Sequence, residues 1–151
     1  MLLGFLLASG MIQAASADSN EPQQEKMTHH NMMHSANDER ISLGLAPKMK
    51  QHQLSNMRSH LKAIQTIIGL IGDGQFENAS KTAHSRLGLT EDMKEMCNMI
   101  DNDDFRKMGL AFHKSADALG DVLLTKDINK SLHALQETMD YCVQCHAAYR
   151  Q

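Results

Sequence analysis

Apolar residues recur at every third or fourth position through most of residues 47–150, and this spacing constrains the fold more than any other feature. It is the period of an amphipathic α-helix, whereas a half-buried strand alternates at every second residue. The first helix should begin after Pro47 and end at the turn "GDGQ", residues 72–75. We expect one inward stripe on it, made of Met49, Leu54, Met57, Leu61, Ile64, Ile68 and Ile71.

Three more helices should follow with short connections. A short one covers about residues 75–87 with Gly88 as its C-cap, a long one begins in the acidic run 101–104, and the last runs from Asp127 to about residue 150. Thr90 caps one or two extra turns before the acidic run. The expected inward residues are Phe76, Ala79, Ala83 and Leu87, then Phe105, Met108, Phe112, Leu119 and Leu123, then Ile128, Leu132, Leu135, Met139 and Cys142. The pattern predicts an all-α protein, an antiparallel four-helix bundle over residues 45–151.

The first 44 residues differ from the rest in composition. The apolar run "LLGFLLASGMI" and the small-residue stretch Ala15–Ala17 predict a signal peptide over residues 1–17 and export to the periplasm, although no Lys or Arg precedes the run. Residues 18–44 are polar without an apolar period, which predicts a disordered tether. Its "HHNMMH" segment groups His29, His30 and His34, which are either copper ligands or part of a solvated linker.

The sequence "CVQCH" near the C-terminus carries the chemistry. On a helix, Cys142, Cys145 and His146 lie on one face within about a turn. Redox-active C-x-x-C pairs usually stand at a helix N-terminus, and a structural zinc site needs four ligands. Covalent haem attachment needs two thiols for the two vinyl groups and an adjacent imidazole for the iron. The motif therefore favours one covalently bound haem c.

This C-x-x-C-H motif in the last helix of an exported helical chain resembles the class II c-type cytochromes, cytochrome c′ and its low-spin relatives. Those chains end in C-x-x-C-H-x-x-[FY]-[RK], a pattern that Tyr149 and Arg150 complete here. The resemblance implies haem c between the helices, thioether bonds from Cys142 and Cys145, and His146 as the proximal iron ligand. It places Tyr149 and Arg150 near the haem and implies a homodimer formed through the first two helices.

The resemblance leaves the sixth iron position to the first helix. An aliphatic side chain there leaves the iron open to small gases such as nitric oxide or carbon monoxide, whereas a methionine makes a low-spin electron carrier. The stretch "NMRSHLKAI" resembles the family's "LMASHFGRM"-type stretch, which puts Leu54 at the distal wall. Counting back from the "DGQ" turn ends instead near Arg58, a candidate partner for haem propionates, beside Met57. We favour Met57 as the distal ligand, with Met49, His60 or no ligand as alternatives.

These observations predict a periplasmic one-electron carrier rather than an enzyme, since no catalytic motif is present. A gas-binding protein and a copper-handling protein are the other hypotheses. The net charge of −3 argues against nucleic-acid partners and leaves redox partner proteins. We expect Cys97 to be buried and His113 to lie on a helix surface.

Overall fold

Five helices and two short strands make up the part of the chain that the computed structural model describes, residues 38–151. They are β1 (Ile41–Ser42), α1 (Pro47–Gly72), α2 (Phe76–Arg86), α3 (Glu91–Asn98), α4 (Asp103–Leu123), α5 (Ile128–Ala148) and β2 (Tyr149–Arg150). The all-α prediction is thus confirmed for this part. The predicted signal peptide, the "HHNMMH" segment and most of the predicted tether lie outside the described residues. Within residues 38–151, no helix combines the length and apolar character that a bilayer crossing requires.

The helix starts follow local capping signals. The side chains of Thr90, Asn102 and Asp127 accept hydrogen bonds from backbone N–H groups three residues later, at 3.2, 2.9 and 3.1 Å. Such caps satisfy donors that have no partner inside the helix. The turn after α1 contains Gly74 at a φ of +70°, a conformation that favours glycine. The predicted helix boundaries are therefore confirmed to within about two residues.

One apolar core joins four of the helices. Helix α1 packs on α2, α2 and α3 pack on α4, and α4 packs on α5. The core residues are Ala63, Ile64, Ile67, Ile71, Ala79, Ala83, Leu87, Phe112, Ala116, Leu119, Leu123 and Leu135. Most of the inward positions predicted on α2 and α4 belong to this core, so the apolar faces of these two helices are largely confirmed.

The predicted faces of α1 and α5 are partly wrong. On α1, Leu54, Leu61 and Ile68 are exposed by 37%, 70% and 50%. On α5, the apolar residues Ile128, Leu132, Met139 and Val143 are exposed by 49%, 48%, 39% and 65%. At the helical period each set forms one strip beside the buried face. Both helices therefore carry an apolar strip that the packing of residues 38–151 does not cover.

Polar residues take up part of the buried faces of these two helices. Gln53 and His60 are buried on α1, and Ser131 and Thr138 are buried on α5. The hydroxyl of Ser131 donates to the carbonyl of Asp127 at 2.8 Å, and that of Thr138 lies 2.9 Å from the Ala134 carbonyl. Because such hydroxyls bond to their own helix, they enter a core at little cost.

Asp117 of α4 contacts His84 of α2 and the backbone of Leu89, and we call this set of contacts the clip. Nδ1 of His84 lies 3.0 Å from Oδ1 of Asp117, while the backbone N–H of Leu89 donates to Oδ2 of Asp117 at 3.0 Å. A Cβ at Gly88 would collide with the Asp117 carboxylate and lie 2.5 Å from the carbonyl oxygen of His84. The C-cap of α2 is Leu87 rather than the predicted Gly88, which is the next residue. The close approach of Gly88 to α4, rather than a left-handed φ, requires glycine there.

A short parallel sheet was not predicted. Ile41 pairs with Tyr149 and Ser42 with Arg150, and the N–H of Leu43 donates to the carbonyl of Arg150 at 3.0 Å. We call residues 39–45 the N-terminal strap, since they run along the end of α5. The strap therefore overlaps the last residues of the predicted tether, which was expected to extend to residue 44.

Candidate functional site

The C-x-x-C-H residues occupy the last two turns of α5. Cys142 and Cys145 are free thiols and half-buried, and His146 is exposed. By helical period, His146 falls on the same side of α5 as Ile128 and Met139, two members of its exposed apolar strip. The imidazole therefore lies at the end of an uncovered apolar surface, and the two half-buried thiols adjoin it on the same two turns of α5.

The two cysteines adjoin different apolar clusters. Cys142 packs against the main core, whereas Cys145 packs against a smaller cluster of Ile100, Phe105 and Tyr149. Leu43 and Leu45 of the strap pack against this second cluster as well. The motif therefore lies where the helical core meets the strap.

The acidity of the thiols differs from that of a redox C-x-x-C pair. Burial and the neighbouring Cys142 raise the pKa of the Cys145 thiol to about 11, and burial raises that of Cys142. Redox-active pairs instead have a thiol of lowered pKa, usually at the positive N-terminal end of a helix. The position at the C-terminal end of α5 and the raised pKa values both weigh against a dithiol redox site.

The last residues of the motif anchor the strap. Tyr149 is 8% exposed, and its ring meets that of Phe105 edge to face at a centroid distance of 5.2 Å. Nε of Arg150 donates to the carbonyl of Arg40, and Nη1 of Arg40 donates to the carbonyl of His146, both at 3.3 Å. Sequence reasoning missed Arg40, because no local signal links it to a motif so distant in the chain.

The candidates for the distal position lie at different depths on α1. Leu54 is 37% exposed, Met49 and Met57 are half-buried, and His60 is only 8% exposed. Arg58 is exposed. The expectation that Leu54 and Leu61 flank Met57 on an inward face is wrong, because the buried face of α1 is centred on His60 and Ile67.

Two contacts show where α1 and α5 lie along the axis of α4. We call the position of a residue along this axis its height. The hydroxyl of Thr138 in α5 lies 3.3 Å from the carbonyl of Ser115 in α4, and the His60 ring in α1 lies 5.2 Å from the Phe112 ring in α4. Short turns make α5 antiparallel to α4 and α1 antiparallel to α2. Glu77 at the start of α2 pairs with Lys126, which follows the end of α4, so α2 and α4 are also antiparallel. Helix α1 therefore runs parallel to α4.

Counting residues from these contacts brings α1 and α5 into register. Leu54 and Met57 fall within about one helical turn of the height of His146. His60 falls within one residue of the height of Cys142. The stretch of α1 that the sequence singled out therefore lies at the level of the C-x-x-C-H motif.

His113 is buried, so the prediction that it lies on a helix surface is wrong. It is 4% exposed, and its Nδ1 donates to the carbonyl of Leu87 at 2.6 Å. Its ring centroid lies 5.5 Å from that of His60, and burial is the main cause of its lowered pKa. The sequence gives no sign of this burial, because the partner that satisfies His113 comes from another helix.

The described residues also form a cleft that lies apart from the motif. A shallow cleft of about 320 Å³ on α4 and α5 is lined mainly by polar residues and includes neither the cysteines nor His146. Within residues 38–151, no group of three or more His, Cys, Asp or Glu side chains is arranged to hold a metal ion.

Comparison with protein-family models, curated proteins and solved structures gives no match to this chain.

Proposed function

We propose that this chain is an exported c-type cytochrome that transfers one electron through a single covalent haem c held in a four-helix bundle. Cys142 and Cys145 form the thioether bonds, His146 is the proximal iron ligand, and Met57 is the distal ligand. The haem, when bound, supplies an iron that accepts and releases one electron. The chain fixes the two axial ligands and excludes water from the iron.

The residues present fit a haem group. Two free thiols three residues apart and a neighbouring exposed imidazole match the two vinyl groups and the iron of one haem. This donor set is the observation that carries the proposal. The exposed apolar strips of α1 and α5 provide surface of the kind that a porphyrin ring covers, and burying them would be favourable.

The distal assignment has support from the register of the helices. Met57 lies near the height of His146 and borders both the buried face of α1 and its exposed apolar strip. A thioether bound to haem iron favours the reduced state and raises the potential. A protein ligated in this way serves as an electron carrier because no position is left open for an external ligand.

An open distal site is the second candidate function. Among the candidate distal residues of α1, Leu54 is the one whose height agrees best with that of His146, and its side chain is apolar. A site walled by Leu54 would leave the iron five-coordinate and able to bind small gases.

Redox protein partners, a homodimer and copper at His29, His30 and His34 are further proposals. A peptide covering residues 27–35 that fails to bind copper would exclude the last of these.

Replacing either motif cysteine should remove one thioether bond to the haem, and replacing both should remove all covalent haem. The variants are Cys142→Ala, Cys145→Ala and the double variant, produced with export and haem-attachment machinery. The measurement is the mass of the denatured chain together with its pyridine haemochrome spectrum. Cys97→Ala is the matched control and should retain full haem, since Cys97 is a buried thiol on α3 and is not part of the motif. A wild-type chain without covalent haem would refute the proposed function.

Replacing Met57 with alanine should abolish the far-red absorption band of a methionine–iron bond in the ferric protein. The spectra are recorded for the ferric and ferrous holoprotein before and after adding carbon monoxide. Met49→Ala is the control, because Met49 is a half-buried methionine on the same helix. A wild-type spectrum that is high-spin and shifts with carbon monoxide would favour the gas-binding function instead.

A further inference from the structure

The side chain of His60 is buried, and one of its ring nitrogens makes no hydrogen bond within the described residues. It is 8% exposed, and its Nε2 has no hydrogen-bond partner among residues 38–151. Leaving such an atom unsatisfied costs about 1–3 kcal/mol, so a buried group of this kind calls for an explanation. The neighbouring His113 differs from His60, because its Nδ1 donates a hydrogen bond to the Leu87 carbonyl.

The surroundings of His60 keep its imidazole neutral. Burial, and then the nearby His113, lower the pKa of His60 to about 4. The ring lies 5.2 Å from that of Phe112 and 5.5 Å from that of His113, measured between centroids. A neutral imidazole is the form that binds metal ions, and Nε2 is one of its two ligand atoms.

His60 lies near Met57, the proposed distal ligand, and at the height of Cys142, a proposed attachment residue. It stands three residues after Met57, which places the two side chains on adjacent turns of one helix face. Its height along α4 agrees with that of Cys142 to within one residue. Cys142 packs against the same core cluster to which Phe112 belongs, and Phe112 contacts His60.

We infer that Nε2 of His60 is a second distal ligand for the haem iron, and that it binds the sixth position whenever Met57 does not hold it. The inference rests on the proposed function, since it needs the haem that Cys142 and Cys145 attach. Either ligand closes the distal side, so the protein stays six-coordinate after loss of the methionine. Exchange of a thioether for an imidazole would lower the reduction potential, because methionine is the ligand that raises it.

The test uses the holoprotein with Met57→Ala. We expect a ferric spectrum that has lost the far-red band yet remains low-spin, with the electron paramagnetic resonance signal of two imidazole ligands. The ferrous form should not take up carbon monoxide at once. In the double variant Met57→Ala with His60→Leu, the iron should become high-spin and bind carbon monoxide. The matched control is Met57→Ala with His52→Leu, since His52 is exposed on the same helix, and it should behave as Met57→Ala does.

The possible failures are distinguishable. If the wild-type chain carries haem but Met57→Ala is high-spin and binds carbon monoxide, this inference is wrong and the proposed function stands. If the wild-type chain carries no covalent haem, the proposed function and this inference both fail. Should the double variant not fold, the paramagnetic resonance signal of Met57→Ala alone decides, because it reports the type of axial ligands without a second substitution.

Discussion

In a variant without the two motif cysteines, His60 should lower the unfolding free energy by about 3 kcal/mol as the pH falls from 6.5 to 4. Burial lowers the pKa of His60 from 6.5 to about 4 in the folded chain. The unfolded chain therefore binds more protons within this window, so stability is fully present above pH 6.5 and is lost on acidification. Each unit of pKa difference corresponds to about 1.4 kcal/mol. The chain for this measurement carries Cys142→Ser and Cys145→Ser.

The contribution of His60 is measured by urea unfolding at several pH values. His60→Leu in the same background should flatten the dependence of the unfolding free energy on pH between 4 and 6.5. A residual slope of the same sign should remain, because burial also lowers the pKa of His113. His52→Leu, at an exposed position, should leave the slope unchanged. Equal slopes for His60→Leu and the parent chain would show that His60 is not buried as described.

Replacing Gly88 with alanine should cost about 3 kcal/mol or more of unfolding free energy. The added Cβ would lie 2.5 Å from the carbonyl oxygen of His84 and would collide with the carboxylate of Asp117. Overpacking of this kind costs about 1–3 kcal/mol. The displaced carboxylate would also lose its hydrogen bond from the N–H of Leu89, which adds about 1–2 kcal/mol.

Gly69→Ala is the control for this substitution. Gly69 lies inside α1, and an added Cβ would meet nothing within 4 Å. Since alanine is the better helix former, Gly69→Ala should raise stability by about 0.5–1 kcal/mol. Thermal and urea unfolding of both variants provide the comparison. Similar small effects at the two positions would mean that α2 and α4 do not approach as closely as the clip implies.

The helix boundaries could be predicted because their determinants are local. Thr90, Asn102 and Asp127 cap helices that begin with the next residue, and Gly74 lies in the turn that ends α1. The buried faces of α1 and α5 could not be predicted in the same way. Their apolar residues cover more than one face, and hydrophobicity alone does not reveal that Ser131, Thr138 and His60 are buried.

The candidate site shows the same division between local and distant information. Cys142, Cys145 and His146 form a contiguous motif and are visible in the sequence. Arg40, which donates to the His146 carbonyl, comes from the opposite end of the described residues. The unsatisfied Nε2 of His60 depends on which side chains of other helices surround it. No single stretch of sequence encodes such surroundings.

The pairing of the strap with β2 has a kinetic consequence. Arg40 and Arg150 are separated by 110 residues of chain, so their contact closes a long loop and loses more chain entropy than contacts between successive helices. Contacts of such long range form slowly compared with local ones. The strap should therefore dock on the end of α5 after the helices have assembled. During that delay the end of α5 that carries the two thiols would remain uncovered by the strap, which would leave it accessible for the haem attachment that we propose.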